Sequence, residues 1–324
     1  MADIYNYFTQ ENQEDLARVN KIIREQAKSD VTLINEIGHY IITSGGKRLR
    51  PIILILAGKS LGYSGESLFE QGAVIEFIHT ATLLHDDVVD ESDLRRGERT
   101  ANHIFGNAAA VLVGDFLYTR AFQLMVRPKK LRLMEIMADA TNQIAAGEVM
   151  QLIHIGNVHL SEQDYFKIIL NKTAKLFEAA AQIGALLAGA DETQETALKD
   201  YGRYLGMIFQ IVDDLLDYEG NIAETGKNVG NDLKEGKVTL PLIYLLQEGD
   251  ESSKNLIKKA LAAADGHHFD AIYKAVKNSS ALSYCYQVIE GFVKKAQEAL
   301  SYFPESRYRT TLSDLLDQSV KRKK

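Results

Sequence analysis

The chain has 324 residues, 46% of them apolar, with 44 acidic against 37 basic side chains and a formal net charge of −7. That is ample apolar material for a sizeable core, and the acidic balance argues against nucleic acid as a main partner. The single cysteine, Cys285, cannot close an internal disulfide, which fits a reducing, cytoplasmic compartment.

The N-terminal stretch MADIYNYFTQENQED carries neither a basic nor an apolar leader region. The first 30 residues predict a polar amphipathic helix with apolar positions at Leu16, Val19, Ile22 and Ile23. A second helix starts near Asp30, a suitable N-cap, and ends at Ser44-Gly45-Gly46, where glycine takes a left-handed cap. Pro51 opens PIILILAGKSLG, as proline does in a first helical turn. This longest apolar run is far short of the roughly 20 residues of a membrane span. GYSGES reads as a turn, and the helix from about Glu66 runs into the acidic cluster of LLHDDVVDESDLRRG.

RRGERTANHIFGN reads as a loop. AAAVLVGDFLYTRAFQLM and LRLMEIMADATNQIAAGEVMQLIHI follow as helices with Pro128 between them. Ser161 with Asp164 caps the next, SEQDYFKIILNKTAKLFEAAAQIGALLAGA, whose Ala and Gly content predicts close helix–helix approach. A helix from about Thr193 to Tyr218 carries a second acidic cluster, FQIVDDLLDYEG. The glycine-rich loop EGNIAETGKNVGNDLKEGKVT is long enough to be functional rather than a mere connector. From Pro241 onward the chain is amphipathic helix, ending in a basic KRKK tail read as solvated. Proline occurs only four times and no run of alternating β-branched residues appears, so the expected class is all-α. No linker or composition shift demands a second domain, and residues 1–324 read as one large helical bundle around a central cavity.

The chemistry lies in the two acidic clusters. Asp86, Asp87 and Asp90 are spaced to share one helix face, and Asp213, Asp214 and Asp217 repeat the pattern 127 residues later. Facing each other across a bundle cavity, they would make a site for a hard cation. Oxygen-only donors without an EF-hand loop favour magnesium, which binds a few carboxylates together with substrate phosphate. Cations accompany them. Lys47, Arg48 and Arg50 stand at a helix N-terminus, where they oppose the dipole but suit an anion. Arg95-Arg96 follows the first cluster, while Lys227 and Lys237 lie in the loop after the second. Acids for metal and cations for phosphate point to a diphosphate substrate. There is no GxxxxGK[ST] loop, dinucleotide fingerprint or Ser-His-Asp arrangement.

GGKRLRP, LLHDDVVDESDLRRG, GDFL, KTAKLFEAAAQIGALLAG, FQIVDDLLDYEG and GKNVGNDLKEGKVTLP occur in this order. With these motifs the chain resembles the trans-isoprenyl diphosphate synthase family, and within it the bacterial octaprenyl (long-chain polyprenyl) diphosphate synthases. The resemblance implies the all-α isoprenoid synthase type I fold and elongation of a farnesyl or geranylgeranyl primer by successive isopentenyl diphosphates. The implied product is a long all-trans chain, octaprenyl, for a quinone side chain.

Asp86 and Asp90, with Asp87 in support, would bind Mg2+ from the first motif, and Asp213 and Asp217 from the second, with three ions once diphosphate is bound. Arg95, Lys172 and Lys227 would hold the allylic diphosphate, with Lys237 nearby. Lys47, Arg50, His79 and Arg96 would hold isopentenyl diphosphate. Thr173 and Gln210 would aim oxygen at the allylic carbon. A homodimer and transient membrane contact for product release are also implied. In the family an aromatic residue four or five positions before the first motif blocks the product tunnel. Thr82 and Ala81 are not bulky, so products longer than farnesyl are expected, with Ile78 one turn deeper and Met125, Met134 and Met137 as tunnel-floor candidates. A terpene cyclase would carry a different second metal motif, and a non-catalytic partner subunit would usually lack the acidic motifs.

Overall fold

The computed structural model describes residues 12–43, 46–95, 97–219, 230–263 and 268–321. Sixteen α-helices, one π turn and one short hairpin make up these residues. They form two compact units: Met1–Thr141 with Leu176–Gly202 and Leu300–Asp314, and Asn142–Lys175 with Arg203–Ala299 and Leu315–Lys324.

In the first unit, α1 (Gln13–Gln26) and α2 (Thr32–Thr43) precede α3 (Leu49–Ser60) and α4 (Ser67–Val89). α1 is amphipathic and buries Leu16, Val19 and Ile23. α3 and α4 are apolar all round and buried on nearly every side, as such helices must be. Pro51 stands at the third position of α3 rather than the first, where its missing N–H still costs nothing. α6 (Asn107–Met125) packs along α4, and α3 and α1 cover other faces of α4. The close approach predicted for the Ala/Gly-rich segment is real. A Cβ on Gly184 of α9 (Lys175–Ala188) would meet the Leu54 carbonyl of α3 at 2.4 Å. One on Gly202 of α10 (Glu192–Glu219) would meet the Phe177 carbonyl at 2.5 Å.

RRGERT is not an open loop. β1 (Leu94–Arg95) and β2 (Glu98–Arg99) pair antiparallel, with Gly97 at φ 82 supplying the positive φ that a two-residue connection needs, and α5 (Ala101–Phe105) follows.

The second unit holds the end of α7 (Leu131–Ile153) and α8 (Glu162–Ile169), whose Ser161 hydroxyl accepts the Asp164 N–H as predicted. The long helix expected from there is broken by a π turn, Leu170–Ala174. Short α11 (Asn231–Lys234) lies in the glycine-rich segment. α12 (Leu240–Glu248), α13 (Glu251–Ala263) and α14 (Phe269–Lys277) pack together, and α15 (Ala281–Leu300) and α16 (Arg307–Val320) complete the chain. Cys285 is fully buried, and burial pushes its thiol up. Among the described residues no helix is long and apolar enough to cross a membrane.

One junction explains how α3 begins. Arg48, just before it, is held in the left-handed region at φ 48. Its guanidinium reaches Glu76 of α4 at 2.6 Å, both side chains nearly buried, and Asn20 of α1 at 3.2 Å. Breaking such a buried pair leaves an uncompensated charge, which costs about 3–5 kcal/mol. Glu76→Ala is therefore expected to lower unfolding free energy by about 3 kcal/mol or more. Chemical denaturation checks this, and a loss below 1 kcal/mol would contradict it.

Candidate active site

The first acidic cluster closes α4. Asp87 does not share a face with Asp86 and Asp90: it turns inward and is 1% exposed, whereas Asp86 and Asp90 keep solvent contact. Arg95 from β1 meets it, with Nε donating to Oδ1 and Oδ2 at 2.9 and 3.1 Å and Nη2 to Oδ1 at 2.7 Å. Asn102 of α5 and the Ser92 N–H both donate to the Asp87 carbonyl. Asp87 thus anchors the hairpin, and the middle acid of the motif is a protein-bound carboxylate rather than an open one. His85, two residues before Asp87, sits against Gly114 of α6, where any Cβ would collide with its ring, 3.2 Å from the Val111 carbonyl.

Arg50 of α3 and His79 of α4, both expected at isopentenyl diphosphate, lie together, with Nη1 3.2 Å from the His79 Nε2. Arginine can only donate, so Nε2 is the acceptor in this contact. Phe177 stacks under the guanidinium at 4.4 Å, a cation–π contact. Lys47 is exposed, whereas Arg48 is turned away into its buried pair with Glu76. Of the three cations expected at an anion, Arg48 is spent on the fold. Of the predicted tunnel residues, Ile78, Ala81, Met125 and Met137 are 0% exposed, while Thr82 and Met134 are half-buried.

The second unit carries the other cluster. The π turn delivers Lys172 and Thr173. Lys172 Nζ donates to Glu148 of α7 at 2.5 Å, and the Thr173 hydroxyl donates to Gln210 Oε1 at 2.8 Å. The Gln210 amide in turn donates to Asp214 Oδ1 at 2.8 Å, and Tyr165 of α8 donates to Oδ2 at 2.6 Å. Asp214 is 4% exposed and its carboxyl is pushed up to about 7. Burial is the main cause and Asp213 adds to it, whereas Tyr165, Gln210 and Lys237 pull the other way. Asp213 is half-buried, and Asp217, 4% exposed, accepts the Asp232 N–H at 3.1 Å.

Asp232 retains some surface yet lies deep among Asp214, Asp217 and Asp213. Desolvation first, and that acidic company second, push it well above the carboxylate range, with Lys237 opposing. Lys237 also pairs with Glu235. Arg96 and Lys227 lie outside the described residues. Glu148 and Asp232 were missed from the sequence. A lone acid within AAGEVM was the available signal for Glu148, and none singled out Asp232 within its loop.

A cation that takes one or two carboxylates and completes its shell with phosphate and water suits half-buried acids such as Asp86 and Asp90 in the first unit and, separately, Asp213 in the second. Among the described residues no three acidic, histidine or cysteine side chains form a cage on their own.

A sequence profile of polyprenyl synthetases matches residues 31–278. The chain is 48% identical over 310 residues to octaprenyl diphosphate synthase of Escherichia coli (strain K12), covering 95% of this chain and 96% of that one. It is likewise 48% identical to the Haemophilus influenzae octaprenyl diphosphate synthase, over 95% and 94% of the two chains. Its fold is similar to a Caulobacter crescentus CB15 polyprenyl synthase complexed with calcium and isoprenyl diphosphate. The TM-score is 0.94 and the identity 40%, over 99% of this chain and 98% of that one.

The Tyr165–Asp214 bond yields a pH-dependent prediction. Tyr165 holds the Asp214 carboxyl down, so Tyr165→Phe raises it further above its ordinary 3.8. At pH 5 the folded-state acid is protonated with or without Tyr165, and the lost bond costs little. Above about pH 7 the wild-type carboxylate uses the donor and the variant has none. Tyr165→Phe should therefore cost about 1–3 kcal/mol at pH 8 and clearly less at pH 5, read by denaturation at the two pH values. A pH-independent loss would contradict this.

Proposed function

The chain belongs to the polyprenyl synthetase family, and from that premise we propose that it condenses an allylic diphosphate, farnesyl or geranylgeranyl, with successive isopentenyl diphosphates. The product is a long all-trans polyprenyl diphosphate, octaprenyl diphosphate, for a quinone side chain. The observation that carries this reading is a division of labour, complete in the first motif and partial in the second, where Asp217 is as buried as Asp214. The middle acids, Asp87 and Asp214, are buried and bound by the protein, whereas Asp86, Asp90 and Asp213 keep solvent access.

Asp86 and Asp90, and Asp213 with Asp217, are the proposed Mg2+ ligands. When bound, Mg2+ supplies charge neutralisation for a departing diphosphate. Lys172, Arg95, Lys227 and Lys237 hold the allylic diphosphate, Lys172 exchanging its Glu148 counter-ion for phosphate oxygen. Lys47, Arg50, His79 and Arg96 hold isopentenyl diphosphate, a role supported by the contact between Arg50 and His79. Thr173 spends its proton on Gln210, which leaves oxygen lone pairs for a developing allylic cation. Apolar walls exclude water while the isopentenyl double bond attacks. The proton then leaves with the released diphosphate, and no protein base is required.

Residues 1–324 act as one catalytic domain, consistent with relatives matched over 95% of the chain. Exposed Ile104, Val111 and Leu112 on α5 and α6 support a homodimer, and a product this apolar is released through transient membrane contact by a cytoplasmic enzyme.

Purified protein with Mg2+, farnesyl diphosphate and labelled isopentenyl diphosphate should yield prenols longer than geranylgeraniol after dephosphorylation, and none when Mg2+ is chelated. No elongation, or a cyclic hydrocarbon, would overturn the reading. Ala81→Phe should shorten the product to farnesyl or geranylgeranyl length. Overpacking at this fully buried position would also cost about 1–3 kcal/mol of stability. Long products from a folded Ala81→Phe variant would remove Ala81 from the tunnel wall.

A further inference from the structure

Lys172 and Thr173 sit in the π turn Leu170–Ala174, which interrupts the α8–α9 run. Such turns are rare within helices and are kept where the surroundings enforce them, frequently at functional sites. Two glycines press on this one. A Cβ on Gly147 of α7 would lie 2.6 Å from the Lys172 backbone nitrogen and 2.9 Å from Asn171 Cβ. A Cβ on Gly206 of α10 would lie 2.5 Å from Ala174 Cα and 2.8 Å from its Cβ. These are main-chain atoms and side-chain roots, not the ends of flexible side chains, so one added methyl group must displace the turn.

Neither glycine is among those with positive φ, so backbone conformation does not call for glycine at either position. A helical glycine is less favourable than alanine, and what offsets it here is space. Each glycine also precedes, on its own helix, the side chain that grips what the turn delivers. Glu148, next to Gly147, takes the Lys172 ammonium at 2.5 Å. Gln210, one helical turn after Gly206, takes the Thr173 hydroxyl at 2.8 Å. Backbone spacing and side-chain grip are thus set together from both sides.

We propose that Gly147 and Gly206 are positioning residues whose missing side chains fix the π turn, and through it the placement of Lys172 and Thr173 against the allylic diphosphate. The inference rests on the prenyl-elongation reading above and adds to it two residues that touch neither substrate nor metal.

The test is steady-state elongation by the full chain with Mg2+, farnesyl diphosphate and labelled isopentenyl diphosphate. Wild type, Gly147→Ala, Gly206→Ala and Gly291→Ala are compared. Gly291 is the control, since a Cβ there meets nothing within 4 Å. A misplacement near 1 Å costs up to about a hundredfold in rate. Gly147→Ala and Gly206→Ala should each raise KM for farnesyl diphosphate and lower kcat, with kcat/KM for that substrate falling about tenfold or more. KM for isopentenyl diphosphate should stay close to wild type, the thermal midpoint should fall by no more than a few degrees, and Gly291→Ala should be unchanged throughout.

A merely structural role would lower the melting temperature or the active fraction and leave the farnesyl diphosphate KM unmoved, which overturns the proposal. Failure of both variants to fold overturns it too, because the glycines would then belong to the fold rather than to the site. A response from only one variant refutes the two-sided arrangement. Wild type that elongates while both variants keep wild-type kinetics sinks this inference alone. Wild type that does not elongate sinks the functional reading, and this inference with it.

Discussion

A carboxylate buried in a helical interior costs several kcal/mol unless donors or a cation meet it, and each acidic motif of this protein buries its middle carboxylate. The solutions differ. Asp87 is met by a guanidinium fork, three N–H···O contacts from Arg95. Asp214 is met by two neutral donors, Tyr165 and Gln210, and burial still holds its carboxyl near 7. In each case the group that satisfies the buried acid belongs to, or contacts, the proposed substrate machinery. Arg95 carries the β-hairpin, and Gln210 carries the hydroxyl of Thr173. The middle acids therefore act as pivots, and the outer acids inherit their geometry from them.

Small residues supply the second constraint. At Gly184 and Gly202 an added Cβ would run into a carbonyl oxygen of the neighbouring helix. Backbones that approach so closely leave little freedom for sliding, because interiors are packed at crystal-like density. Arg48 shows the same rigidity at a helix start. A non-glycine residue in the left-handed region carries strain of order 1 kcal/mol or more, and it persists because Glu76, Asn20 and the Ile42 carbonyl all engage its guanidinium. The segment between Lys47 and Arg50 is thus held by a cation that faces inward, so Arg48 is spent on the fold, and the proposed anion contacts fall to Lys47 and Arg50.

Much of this was legible in the sequence. Both acidic motifs, the Ser161 cap, the buried apolar helices and the Arg50–His79 partnership follow from residue type and spacing or from family likeness. What was not legible depended on partners distant in the chain. Helical spacing allowed Asp87 to join Asp86 and Asp90, and only Arg95 decides that it turns inward. Arg48 looked like a third phosphate ligand because its charge matched its neighbours. The clue to the contrary was Glu76, a lone acid in the apolar run AVIEFIH. Glu148 in AAGEVM carried the same message for Lys172. A buried charge in an apolar run has to find its counter-charge within the fold, as Glu76 does in Arg48, while half-exposed Glu148 pairs with Lys172. The β1–β2 hairpin was read as loop because two-residue strands are too short to show alternation, and the π turn because one wide turn leaves the helical composition unchanged.

Burial around Ala81 bears on how a helix can measure a growing chain. Ala81 lies five residues before Asp86, about 7.5 Å deeper along α4 at the usual helical rise, and Ile78 lies deeper still. Neither has any exposed surface, nor do Met125 and Met137. Were a prenyl chain to enter along these residues in the proposed reaction, it would displace side chains that have no exposed surface. Each five-carbon unit buried gains about 4 kcal/mol at roughly 0.8 kcal/mol per carbon, and each displaced layer costs the packing it loses. Elongation stops where the next layer costs more than the next unit gains. Methionine, unbranched and adaptable, yields cheaply, whereas the rigid backbone contacts at Gly184 and Gly202 do not. Because such a balance is crossed in whole units, a change of one side-chain volume on α4 can shift the product by discrete steps rather than blur its length.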